Sequence, residues 1–168
     1  RLKRLLSLYG SNPQWVVSTA SLANTQEFTE KLTGEKFVSV SSCGSPSGIR
    51  YLVLWDSSAN PEKSVSTQTK DLLLFFAKSG FQTLCFIISR RMAELIRKWA
   101  NRDDKETGIL SYRAGYTPEI RREIEKKLKN GEIKGVVSTE ALELGIDIGR
   151  LDVIILSGYP GSISSFWQ

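Results

Sequence analysis

From residue 70 onward the chain alternates two kinds of segment, and this alternation constrains its fold more than any other feature. Short apolar runs at residues 83–88, 109–111, 135–138 and 153–156 are separated by longer stretches with helical periodicity. In the second of these stretches Met92, Leu95, Ile96, Trp99 and Ala100 recur at the i, i+3, i+4, i+7, i+8 spacing of one helix face. A third opens on Thr117 as N-cap with Pro118 at the first helical position, carries Ile120, Ile124 and Leu128 on one face, and closes at Asn130-Gly131. Strands that are apolar on successive residues are buried on both faces. The prediction is therefore an α/β fold, a parallel sheet with helices on both faces.

Before residue 70 the pattern is looser. Residues 1–9 are basic and Leu-rich and suit the end of a helix closed by Gly10. Asn24 is placed to cap a helix carrying Phe28 and Leu32 that Gly34 terminates. Residues 15–18, 37–40 and 51–55 are predicted strands, and the polar stretch 57–68 a linker before a helix at about 70–78. The chain opens on Arg1 and its one methionine is Met92, so it is expected to be a piece of a longer protein.

Composition removes several classes of chemistry. With no histidine, neither a Ser/His/Asp group nor a His-ligated metal site can be assembled from these residues. Cys43 and Cys85 are too far apart in sequence for a C-x-x-C zinc pair and make no disulfide framework, which points to a reducing, intracellular setting. The longest apolar run, residues 72–77, is far short of the roughly 20 residues that span a bilayer, so no membrane partner is expected. No G-x-x-x-x-G-K-[ST] loop, G-x-G-x-x-G turn or D-E-x-[DH] box is present. This chain by itself is expected to hydrolyse no nucleotide, and no catalytic or metal-binding residue is assigned. A formal charge of +5 fits an anionic partner.

In a parallel sheet the ligand edge lies beyond the carboxyl ends of the strands. Four predicted loops reach that edge: Ser89-Arg90-Arg91, Tyr112 to Tyr116 with Arg113, Ser138-Thr139-Glu140, and Ser157 to Gly161. Hydroxyls, guanidinium forks and glycines together suit a phosphate backbone. Taken singly, Ser89 and Thr139 are equally well explained as helix caps and the arginines as solvated charges. In the stretch after Thr139, Gly145 allows a tight turn or close ligand approach and Asp147 offers acceptors suited to ribose hydroxyls, yet a helix C-cap and a turn residue explain the same spacing.

The run Thr139 to Gly149, followed by Gly158-Tyr159-Pro160-Gly161 and Ser165-Phe166-Trp167-Gln168, resembles motif V and the entry to motif VI of superfamily 2 DEAD/DEAH-box DNA helicases. The nearest likeness is to RecQ-related repair helicases with a cysteine-rich C-terminal domain. Phe86 with Ser89-Arg90-Arg91 resembles motif IV, and Tyr112 to Tyr116 resembles a segment that often reads Tyr-His-Ala-Gly. Thr19-Ala20-Ser21 resembles motif III, normally Ser-Ala-Thr, with the two hydroxyl types exchanged.

This resemblance implies the C-terminal tail of a first RecA-like domain in residues 1–45, a connection in 46–69 and a second RecA-like domain in 70–168. It implies a 3′-to-5′ translocase driven by ATP and Mg²⁺, with single-stranded DNA, the remainder of the first domain and a C-terminal region as partners. The nucleotide-cradling motifs would then precede Arg1 and the arginine fingers follow Gln168. By position, Thr19, Ala20 and Ser21 would couple ATP to DNA. Ser89, Arg90, Arg91, Arg113, Ser138 and Thr139 would hold the strand, with Arg122 a weaker candidate, and Gly145, Asp147 and Gln168 would face ATP. Two other readings remain at this point: a non-motor nucleotide- or phosphate-binding α/β domain, and an interaction module using the charged helix face from Arg121 to Lys129.

Overall fold

The computed structural model describes residues 1–19, 22–42, 44–46, 48–139 and 149–168. It divides into two compact units, Arg1–Ile49 and Arg50–Gln168.

The first unit holds helices α1 (Leu2–Leu8) and α2 (Thr25–Thr33). Gly34 closes α2 in the left-handed conformation, as its position after Thr33 predicts. Lys3 and Glu35 form an exposed ion pair at 2.6 Å. The expected strands at 15–18 and 37–40 are absent: both segments are irregular, and Val16, Val38 and Val40 are exposed. A β-branched run becomes a strand only when a neighbouring strand takes its backbone N–H and C=O groups, and among the described residues of this unit none does.

In the second unit the expected strand at 51–55 is likewise irregular and exposed. The rest follows the predicted alternation as α3 (Val65–Lys78), β1 (Thr83–Ile87), α4 (Arg90–Asp103), β2 (Leu110–Tyr112), α5 (Pro118–Lys129), β3 (Gly135–Ser138) and β4 (Val153–Ser157), and a short helix that the pattern did not predict, α6 (Ile163–Trp167), follows. Helix α3 begins earlier than its apolar pattern shows. The Ser64 hydroxyl caps it by accepting from the Thr67 N–H at 3.2 Å, and its first turns bury the polar Gln68 and Thr69.

The sheet is parallel throughout, in the order β2-β3-β1-β4. Alternate strand residues face opposite layers. Cys85, Ile87 and Val137 pack against Leu73, Ala77, Ile96 and Ala100 of α3 and α4. Leu84, Tyr112 and Val136 pack against Ile124 and Leu128 of α5 on the other face. Buried apolar side chains on both faces explain why the strands read as continuous apolar runs. Gly135 shows how close the packing is, since a Cβ there would lie 2.3 Å from Ile109 Cδ1 and 3.3 Å from Leu73 Cδ1.

Candidate nucleic-acid interface

The strand register brings the predicted loops to one level. Phe86 is opposite both Ser138 and Leu156, Tyr112 is opposite Ser138, and Ile87 is opposite Ser157. The carboxyl ends of the four strands therefore lie level to within one residue, and the loops after β1, β2 and β4, with Thr139 after β3, start from a common edge. The loop after β4 is held close to that after β1. Gly158 has φ +106°, where a side chain is strained, and a Cβ on it would meet Ile88 Cδ1 at 3.1 Å. From the opposite layer, Thr69 Oγ1 of α3 lies 2.9 Å from Ser157 Oγ, tying the end of β4 to the helix.

Ser89 caps α4, its Oγ accepting from the Met92 N–H at 3.4 Å. Arg90 and Arg91 occupy the first turn, exposed, with no acidic residue in that turn and no ion-pair partner among the described residues. Cations at a helix N-terminus oppose the macrodipole, which favours an anion there. Two arginines at the start of a helix therefore make a place where a phosphate would suit both the side chains and the helix dipole.

The β2 edge is a connected polar network. Glu94 of α4 accepts from Tyr116 OH at 2.6 Å and Ser111 Oγ at 3.0 Å, and its other oxygen accepts from Arg97 Nε at 3.1 Å. Burial opposes ionisation of Glu94, but these hydrogen bonds outweigh it and hold its carboxyl below the ordinary value. Arg113 lies with its guanidinium 4.7 Å from the Tyr116 ring centroid and its Nε 3.4 Å from Glu94. Tyr112, almost fully buried, donates to Glu125 Oε1 at 2.6 Å; burial first, then that carboxylate, push its hydroxyl up to about 12.

On the β3 edge Ser138 is fully buried and its hydroxyl donates to the Thr139 carbonyl at 2.7 Å, so that hydroxyl serves the backbone; Thr139 is 8% exposed. Thr19 lies in the first unit. Gln168 is exposed at the end of α6, and Arg122 is exposed on the first turns of α5. Ala20, Ser21, Cys43, Glu140, Gly145 and Asp147 lie outside the described residues. Of the predicted residues, the structure thus brings Ser89, Arg90, Arg91, Arg113 and Thr139 to one sheet edge. Sequence reasoning missed Glu94, Tyr116 as its partner, and the Thr69 to Ser157 tie. Among the described residues no group of acidic or cysteine side chains gathers where a metal ion would sit, and no helix is long and apolar enough to cross a membrane.

The four-stranded parallel sheet with helices on both faces matches the RecA-like fold of helicase C-terminal domains. Residues 65–168 match the helicase conserved C-terminal domain, and the chain belongs to that family. Along its whole length it is 40% identical to the uncharacterized ATP-dependent helicase YprA of Bacillus subtilis and 32% identical to the ATP-dependent helicase HRQ1 of Saccharomyces cerevisiae, covering 24% and 17% of those proteins. It is also similar to the crystal structure of the DUF1998 helicase MrfA bound to DNA and AMPPNP, with a TM-score of 0.82 and 39% identity over 99% of this chain and 24% of that one. The chain thus spans about a quarter or less of the length of these relatives.

Proposed function

We propose that this chain supplies the second motor domain of an ATP-dependent DNA helicase, and that its β-sheet edge grips the backbone of single-stranded DNA. Arg90, Arg91, Arg113 and Thr139 contact phosphates, Ser89 fixes the start of α4 beneath them, and Ser138 sets the Thr139 backbone. The observation that carries this reading is the pair of exposed first-turn arginines, without acidic partners among the described residues, on the same sheet edge as the Arg113 loop. The DNA and AMPPNP bound to MrfA, together with the ATP-dependent helicase names of the relatives, support a DNA partner and ATP use.

Residues 1–45 are the tail of the first RecA-like domain, 46–69 the connection and 70–168 the second domain. Thr19, Ala20 and Ser21 couple the nucleotide state to DNA, while Gly145, Asp147 and Gln168 form this chain's side of the ATP cleft. Mg²⁺ and the triphosphate are held chiefly by the rest of the motor. Movement is 3′ to 5′, and the relationship is nearest to RecQ-related repair helicases with a cysteine-rich C-terminal domain. ATP supplies the free energy that alternates the affinity of the two domains for DNA; the residues described here bind and orient the strand.

Phosphate contacts are counted by salt dependence. Binding of single-stranded DNA by the intact protein should weaken linearly in log K against log[salt], and Arg90→Ala should lower the slope by about 0.7. An unchanged affinity and slope in Arg90→Ala would remove that residue from the interface.

A further inference from the structure

Arg113 is a long side chain on a loop, yet it is held at two points. Its Nε is sealed from solvent without a hydrogen-bond acceptor and sits 3.4 Å from Glu94 Oε1, while the guanidinium packs over the Tyr116 ring. The side chain nevertheless keeps 39% of its exposure, so the accessible part lies beyond that inner nitrogen. Both anchors lead back to Glu94. The carboxylate takes the Tyr116 hydroxyl directly, and Ser111 Oγ, 2.6 Å from the same hydroxyl, closes a three-membered ring of polar contacts around it.

We infer that Glu94 is a positioning residue for DNA binding: from α4 it locks Tyr116 and Arg113 of the loop after β2, so that the guanidinium fork is presented to a phosphate already in place. This rests on the reading of that loop as a backbone contact. Two opposed effects make the idea sharp. As a charge, Glu94 repels a phosphate, and its removal should tighten DNA binding. As a support, its removal frees a rotamer-rich side chain and should weaken binding. Three donors converge on the carboxylate, and an acidic group serving only the general potential of the edge would need none of them. Support therefore outweighs repulsion.

The test uses the intact protein and a fluorescein-labelled single-stranded oligonucleotide, with affinity measured against salt for Glu94→Ala, Glu94→Gln, Tyr116→Phe and Arg113→Ala. Arg113→Ala should weaken binding about tenfold, the scale of one charge-assisted hydrogen bond, and lower the salt slope by about 0.7. Glu94→Ala should reproduce most of that loss and add little when combined with Arg113→Ala. Glu94→Gln, which still accepts from Ser111 and Tyr116, should recover much of it. Tyr116→Phe, which deletes only the hydroxyl, should fall between and keeps the test open if Glu94→Ala does not fold. Wild-type or tighter binding by Glu94→Ala and Tyr116→Phe, with Arg113→Ala still impaired, would overturn the positioning role alone. Unaltered binding by Arg113→Ala would overturn the underlying contact and the positioning role with it.

Discussion

Gln68 offers the most quantitative perturbation. It is 5% exposed on α3, and its amide organises the segment before that helix. Nε2 donates toward the carbonyls of Lys63 at 2.8 Å, Ser57 at 3.0 Å and Asn60 at 3.2 Å, while Oε1 accepts from Trp55 Nε1 at 2.9 Å. An amide nitrogen has two hydrogens, so the three carbonyls share two protons and the side chain makes about three effective bonds. At about 1 kcal/mol each this sums to about 3 kcal/mol. Carbonyls freed in an exposed loop regain water, which brings the expected loss for Gln68→Ala to about 2 kcal/mol. The loss is local: residues 55–64 should come away from α3 while the sheet stays intact. Amide hydrogen exchange should rise by up to about 30-fold at the hydrogen-bonded amides of Ser58 and Lys63 and hardly at all in β1 and β3, since 1.4 kcal/mol is a factor of ten. Gln68→Glu, which at neutral pH turns a carboxylate toward three carbonyls, should be worse. If exchange in 55–64 is unaltered in both variants, the amide does not hold the segment and the reasoning fails.

Two further outcomes follow from packing and ionisation. Gly135→Ala should destabilise the fold by about 1–3 kcal/mol, because the new methyl overlaps Ile109 Cδ1 and crowds Leu73 Cδ1; denaturant melts should show Ile109→Val giving part of this back in the double variant. The Tyr112 hydroxyl, ordinarily near 10.0, is raised to about 12 in the fold, so the neutral form is the one folding favours. Its contribution is complete below pH 10 and is lost as the pH climbs from about 10 to about 12; Cys85, raised from 9.0 to about 12 by burial, acts with the same sign from pH 9. Urea melts across that range should lose less stability with pH in Tyr112→Phe than in wild type, and equal slopes would show that the hydroxyl is not held neutral.

The fold was legible where the hydrophobic pattern alone decides structure. The period of Met92, Ile96, Trp99 and Ala100 defines α4, and uniformly apolar strands such as β3 admit little except a sheet covered on both faces. It was illegible where structure depends on a partner. Residues 15–18, 37–40 and 51–55 have strand composition but no ladder among the described residues, and composition cannot show that. The start of α3 was hidden because Gln68 and Thr69, polar by type, are buried by the bonds they make. At the candidate site the loop arginines stood out as unusual content beside strand ends. Glu94 did not, since one acidic residue on an amphipathic helix looks like any solvated charge until the fold carries Ser111 and Tyr116 to it.

The central claim is that this sheet edge holds a nucleic-acid backbone through Arg90, Arg91 and Arg113. The direct measurement is the salt dependence of single-stranded DNA affinity for the intact protein and for its Arg90→Ala/Arg91→Ala/Arg113→Ala variant. Three lost phosphate contacts should lower the slope of log K against log[salt] by about 2 and leave the thermal midpoint close to that of wild type. Parallel slopes for a folded triple variant would contradict the account.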